Sequence, residues 1–279
     1  MIAVIGASGR TGAAVVAALP DCVAVVRDAA RWAMLGLRRE VRIADLVDAA
    51  GLRIALAGAT HIICTAHARH APAVIAAAPP AARLVFLGST RRFSRWPDAH
   101  GDGVRQGEAA FVASGRAGVM LHPTMIYGAQ GEDNVRRLAA LMRRLPVLPL
   151  PGGGRALVQP IHQTDVSRCI LAALENGQGA ITIAGPEALP YAAFCAAIAL
   201  AAGVTRRGVL PIPAALLIAA SPLTLLPGLP RIRPAEIRRL TEDKAFDIAA
   251  MRETLGVEPI PLAEGLRRTF PASGPSIAS

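Results

Sequence analysis

The first dozen residues leave this chain few folds to choose from. Ile2 to Ile5 form a short apolar run, followed at once by Gly6-Ala7-Ser8-Gly9-Arg10-Thr11-Gly12 and then by an Ala/Val-rich helical pattern to Leu19. A buried strand that turns through three evenly spaced glycines into a helix gives each glycine a job. Gly6 permits the tight turn off the strand, Gly9 lets a pyrophosphate approach the backbone, and Gly12 lets the helix pack close to the sheet. The helix start then offers unpaired N–H groups and a positive dipole end to phosphates. Strand, spacing and helix agree, so the stretch reads as a dinucleotide site rather than a structural turn.

Downstream, apolar strands alternate with helical stretches. Strands are expected at 2–5, 23–26, 41–43, 61–64, 83–87 and 119–122, with helices at about 10–19, 46–56, 71–78 and 104–114. Continuous apolar strands separated by helices predict a doubly wound parallel α/β sheet covered on both faces, with right-handed crossovers. At 279 residues the chain fits one large domain with a small lobe. The expected division is a dinucleotide-binding domain over 1–184, a small C-terminal substrate lobe over 185–270 and a disordered tail over 271–279.

Charge and cysteine usage exclude several classes. The formal net charge is +10, but Lys244 is the only lysine, and the arginines fall in scattered pairs rather than one stripe. That pattern reads as coding-sequence composition, with no nucleic-acid module beside it. Cys22, Cys64, Cys169 and Cys195 are far apart and form no CxxC pair, so reduced, buried thiols in the cytoplasm are expected. The opening residues do not read as a secretory leader, so none is expected. His67 and His70 lack a third ligand, so no metal site is expected.

Two segments carry a family resemblance. Gly6-Ala7-Ser8-Gly9-Arg10-Thr11-Gly12 resembles the glycine loop of the atypical or extended short-chain dehydrogenase/reductase superfamily, and Leu121-His122-Pro123-Thr124-Met125-Ile126-Tyr127-Gly128 is similar to its LRPTxIYG segment, with His122 in place of Arg. The runs Leu148 to Gly154, Gln159 to Val166, Glu242 to Asp247 and Leu255-Gly256 are similar to bacterial nucleotide-sugar-epimerase-like proteins and to the nucleotide-binding accessory subunit of respiratory complex I. The resemblance covers most of residues 1 to about 270.

That resemblance implies a nicotinamide cofactor. Where the second strand ends, an acidic residue would bind the ribose hydroxyl of NAD; here stands Arg27, followed by Asp28, with Arg10 in the glycine loop. Two guanidiniums suit a 2′-phosphate, which favours NADP, with NAD as the alternative should Asp28 turn inward. The resemblance adds Asp45 and Leu46 near the adenine, Thr65, Ala66 and His67 beside the ribose, and Pro123 against the nicotinamide. Asp45 reads equally as the cap of a helix starting at Leu46.

Ser89, in Gly88-Ser89-Thr90, takes the place of the superfamily's active-site Ser or Thr. The tyrosine with a lysine four residues later, which should follow, is absent. The only tyrosines are Tyr127 and Tyr191, with Gly131 and Cys195 four residues beyond, and the expected catalytic turn reads His100-Gly101-Asp102-Gly103. Tyr127 and His122 remain as candidates to orient a carbonyl; Tyr127 reads equally as a buried structural ring, while for His122 and His162 a satisfied structural histidine is the better reading. Asp165 reads as part of a helix start with Thr164 as its cap.

The functional classes left open are three. The first is an NADP-dependent oxidoreductase or epimerase-like enzyme on a carbonyl, sugar-like or lipid-like substrate. The second is a non-catalytic dinucleotide-binding sensor or accessory subunit. The third uses the uncharged run 209–230 to touch a membrane surface or protein partner, although core or pocket lining is the simpler reading of that run. Its prolines leave Ala214 to Ser221 as the longest unbroken piece, too short to span a bilayer.

Overall fold

The computed structural model describes residues 1–129, 134–205, 208–221 and 234–270. The alternating pattern folds as expected. Strand β1 (Ile2–Ile5) runs into helix α1 (Arg10–Ala18), β2 (Cys22–Val26) into α2 (Ala29–Ala33), and β3 (Glu40–Ile43) into α3 (Ala49–Ala55). Then come β4 (His61–Cys64), α4 (Ala71–Ala77), β5 (Arg83–Leu87), α5 (Ala99–Ala113) and β6 (Gly118–Pro123). The later chain gives β7 (Ile126–Tyr127), α6 (Asn134–Arg144), β8 (Val147–Pro151), β9 (Leu157–Val158), β10 (Ile161–His162), α7 (Gln163–Ala172) and β11 (Gly179–Ile183). It closes with β12 (Leu189–Pro190), α8 (Tyr191–Ala201), β13 (Gly208–Ile212), α9 (Ala214–Ala220), α10 (Pro234–Arg239), α11 (Ala249–Leu255) and α12 (Leu262–Thr269).

Seven strands form one sheet in the order β11-β6-β5-β4-β1-β2-β3, every described pair parallel. The order reverses between β1 and β4, and a sheet of this kind opens a ligand crevice at the strand ends there. Apolar residues fill both faces because the strands are apolar on both sides. Val4, Ala24, Ile63 and Leu121 belong to one cluster, Ala3, Val25, Ile62 and Phe86 to the other. Ile248, Met251 and Leu255 from the C-terminal part join the first cluster. A third cluster, built from Tyr127, Met142, Leu150, Phe194 and Leu266, lies among α6, α8 and α12.

Three helix starts differ from expectation. Helix α5 begins at Ala99 because Asp98 caps it, accepting from the Gly101 N–H at 2.7 Å. Its glycines hid that start, yet they are there for packing: a Cβ on Gly107 would lie 2.0 Å from the Ala68 carbonyl oxygen. Helix α3 starts at Ala49 rather than Leu46, with Asp48 as its cap, while Asp45 accepts from the Val47 N–H at 3.1 Å. Helix α7 is capped by the His162 ring, which accepts from the Thr164 N–H at 3.3 Å, so Thr164 is the residue bonded rather than the cap. The expected tail 271–279 and residues 222–230 of the uncharged run lie outside the described residues.

Candidate functional site

At the switch point, Thr65 clasps the two central strands, its hydroxyl donating to the carbonyls of Ile5 at 3.0 Å and Gly6 at 3.3 Å. Gly6 turns with φ +77°, where an L side chain is strained and a Cβ would press on Thr65 Oγ1 at 2.8 Å. Gly12 has the tighter fit: its Cβ would lie 2.2 Å from the Gly6 carbonyl oxygen. Gly9 precedes α1 without a capping side chain, and the first turn of α1 holds no acidic residue. Its N–H groups and dipole therefore face outward with no carboxylate competing for them.

That turn opens on a cavity of about 360 Å³. One wall is Gly9, Arg10, Thr11, Gly12 and Ala14; Thr65 and Arg31 flank it, and Ile126, Gln163 and Ser167 face it. The volume is within the range of small-molecule sites. Arg31, Gln163 and Ser167 were not among the residues singled out from sequence. A signal for Arg31 existed. Asp28 caps α2 by accepting from the Arg31 N–H at 3.0 Å, so the same aspartate that ends β2 fixes an arginine one turn on. Asp28 is thus engaged with its own helix, and Arg27 is exposed beside it. Residues present fit a phosphorylated dinucleotide: a glycine cradle a Cβ would fill, an acid-free helix start, and two cavity-lining arginines.

Past the crevice, β5 ends in the turn carrying Ser89. The Ser89 N–H donates to His122 Nδ1 at 3.1 Å, and Ser89 Oγ accepts from the Arg91 N–H at 3.2 Å. Gly88 makes that reach possible, because a Cβ there would lie 2.3 Å from the same imidazole nitrogen. Accepting at Nδ1 places the His122 proton on Nε2. Glu108 Oε2 sits 2.9 Å from that nitrogen and 2.6 Å from Arg92 Nε, though neither approach has hydrogen-bond alignment. The imidazole is 1 % exposed, and burial, reinforced by Arg92, pushes its pKa down to about 4. It is neutral at pH 7 and holds the Ser89 turn through the bond it accepts from the Ser89 N–H.

Tyr127 is also enclosed. It is 1 % exposed in the third cluster, its ring edge-on to His162 at 5.2 Å. Helix α12 presses on it so closely that a Cβ on Gly265 would lie 2.1 Å from the phenol oxygen. Burial, then Asp165, raises its pKa above the ordinary phenol value. The structure therefore brings Ser89 and His122 together and sets Tyr127 apart in another cluster. Pro123 ends β6, its carbonyl accepting from the Thr90 hydroxyl at 3.2 Å. Leu46 and Ala66 pack half-buried against the second cluster. His67 caps a short 3-10 turn and meets His100 edge-on at 4.3 Å. Burial, then His100, Arg69 and His70, pushes the His67 pKa down to about 4.

The C-terminal segment straps the Ser89 loop. Buried Glu242 accepts from the Ser94 hydroxyl at 2.8 Å and from the Arg95 N–H at 2.7 Å, and Arg239 bonds Asp98 at 3.1 Å. The lone lysine, Lys244, donates to the carbonyls of Arg239 and Glu242, so it is a structural tie. All four cysteines are free and buried, and burial pushes the thiols of Cys64, Cys169 and Cys195 up to about 12. Such thiols are poor nucleophiles. Among the described residues no group of His, Cys, Asp and Glu is arranged to hold a metal ion. Likewise, no described helix is long and apolar enough to cross a membrane.

No family model matches the sequence, and no curated protein matches it. Solved structures do. An NADPH-dependent quinone oxidoreductase from Escherichia coli, complexed with NADPH, superposes with a TM-score of 0.76 at 22% identity, over 97% of this chain and 100% of that one. A UDP-glucose 4-epimerase from Thermotoga maritima gives 0.72 at 15% identity over 96% and 97%. A nucleoside-diphosphate-sugar epimerase from Pseudomonas aeruginosa gives 0.70 at 22% over 96% and 95%. At these identities the likeness carries the fold: the chain has the doubly wound, Rossmann-type α/β architecture of these proteins along nearly its whole length.

Proposed function

We propose that this protein binds NADP(H) at the α1 turn and acts as an NADPH-dependent oxidoreductase on a carbonyl or quinone-type substrate. One observation carries the reading: Arg10 and Arg31 line the cavity at an acid-free helix start while Asp28 is engaged in capping α2. That arrangement suits a 2′-phosphate, with Asp28 engaged at α2 through its cap bond to Arg31. The likeness to a quinone oxidoreductase complexed with NADPH supports the same cofactor, and the epimerase likenesses keep NAD as the alternative. Once bound, the nicotinamide would supply or accept the hydride. Ser89 orients the substrate oxygen through Oγ, and His122 keeps the Ser89 backbone in place. Without a tyrosine–lysine pair, turnover is expected to be slower by roughly 10²–10⁴, the usual worth of a positioned acid.

The test is a paired titration of the purified protein with NADPH and NADH. NADPH is expected to bind more tightly. Arg31→Ala is expected to weaken NADPH roughly 10- to 100-fold, the size of one charge-assisted contact of about 1.5–3 kcal/mol, and to leave NADH unchanged. Arg27→Ala is expected to act in the same direction. Equal losses for both nucleotides would sink the 2′-phosphate assignment. Tight NADPH binding with no transfer of labelled hydride across a carbonyl and quinone panel would favour the sensor or accessory reading.

A further inference from the structure

The described part of the uncharged run, residues 209–221, is largely exposed or half-buried rather than core. Helix α9 reads Ala-Ala-Leu-Leu-Ile-Ala-Ala, has no polar side chain, and none of its residues is buried. Leu216 is 61% exposed. Strand β13, just before it, is exposed along most of its length, with Leu210 at 47%. It pairs in parallel with β8, Gly208 opposite Val147 and Val209 opposite Leu148, which sets exposed Val147 on the same small sheet.

Helix α6 enters β8 after only Leu145 and Pro146. Its inner face is Val135, Ala139 and Met142. Its outer face exposes Arg136, Arg137, Arg143 and Arg144. No acidic residue occurs in 134–151 or 208–221. The β8–β13 pairing brings the uncharged apolar patch beside the C-terminal end of α6, whose exposed charges are all positive, while α10, packed against α9, adds Glu236 together with Arg238 and Arg239.

We propose that this face, formed by β13, α9 and the outer side of α6, binds the surface of an anionic lipid bilayer. The charge pattern selects that occupant. A second copy docked across a two-fold axis would bring arginine-rich faces near each other, which is repulsive. A bilayer offers apolar depth for Leu210 and Leu216 and a mobile array of negative headgroups for the arginines. With seven residues, α9 reaches only about 10 Å and lies in the interface without crossing it. The site is separate from the nucleotide crevice, so this binding stands whether or not the cofactor reading does.

The experiment is sedimentation of the full chain with vesicles of phosphatidylcholine alone and of phosphatidylcholine mixed with phosphatidylglycerol, at low and high salt. The protein is expected to pellet with the mixed vesicles, to be released by salt, and to ignore the neutral ones. Leu216→Glu and, separately, Leu210→Glu are expected to abolish pelleting with unchanged circular dichroism and melting. Arg136→Glu and Arg144→Glu are each expected to weaken it roughly fivefold or more. Wild-type protein that stays in the supernatant with mixed vesicles would overturn the proposal. A wild-type dimer that Leu216→Glu converts to monomer, with vesicle binding unaffected, would assign the face to self-association and overturn it equally.

Discussion

Gly12→Ala is expected to abolish nucleotide binding and to lower the melting temperature by roughly 6–12 °C. The added Cβ would stand 2.2 Å from the Gly6 carbonyl oxygen and 2.9 Å from Ala7 Cα. Both are backbone atoms, so no side chain can swing aside; α1 must retreat from the turn. Overpacking of this kind costs about 1–3 kcal/mol, and a rigid neighbour puts it at the upper end. A domain of this size loses about 2–4 °C per kcal/mol. Displacement of α1 also draws its free N–H groups away from the cavity. Gly9→Ala separates the two effects. Its φ is −79°, and its Cβ would meet only the Gly6 oxygen, at 3.1 Å. It is expected to melt within a few degrees of the parent while losing NADPH affinity, because the methyl occupies the approach to the phosphates. Scanning calorimetry and a fluorescence titration read both outcomes. A Gly12→Ala protein that melts and binds like the parent would mean that the close approach at the first turn is not what the fold rests on.

The sheet was legible because its strands carry their own signal: continuous Val/Ile/Leu runs between helices dictate a parallel sheet buried on both sides. The glycine loop was legible for the same local reason. What escaped the sequence depended on contacts between distant segments. Gly101 and Gly103 were read as a turn ahead of a helix over 104–114, yet they sit within α5, whose face packs on Arg91, His67 and Arg69 there. His122 was readable from sequence as a proton donor or, better, as a structural histidine, but its neighbours, the Ser89 turn and Glu108, come from distant segments that only the fold brings together. Tyr127 was singled out by its motif, and its fate was decided by Gly265, far along the chain. Arg31 was missed because its place depends on Asp28 closing a helix of five residues, α2, too short to show periodicity. The uncharged run was read as core because apolar residues usually are; only tertiary structure tells that α9, although α10 packs against it, buries none of its residues.

The enclosed His122 also predicts an acid-sensitive fold. Its pKa falls from 6.5 to about 4 on folding, so between those values the unfolded chain takes up a proton that the folded protein refuses. Stability is therefore full above pH 6.5 and is lost as pH falls toward 4, by about 3 kcal/mol at ~1.36 kcal/mol per pH unit. Glu108 acts in the opposite sense. Burial raises its carboxyl pKa against the pull of Arg92, so the folded state gains a proton there first and recovers part of the loss. His67, also pushed down to about 4, and His162, lowered chiefly by burial, add to the acid sensitivity with the sign of His122. The difference between variants isolates the site. Urea midpoints measured from pH 7.5 to about 4 are expected to fall steeply for the parent and less steeply for His122→Gln, whose side chain does not titrate. In Glu108→Gln the fall is expected to be steeper than in the parent, because the compensating proton is gone. A His122→Gln slope equal to the parent's would show that the imidazole takes up its proton inside the fold. His122 would then be free to serve Ser89 as an acid rather than as its support.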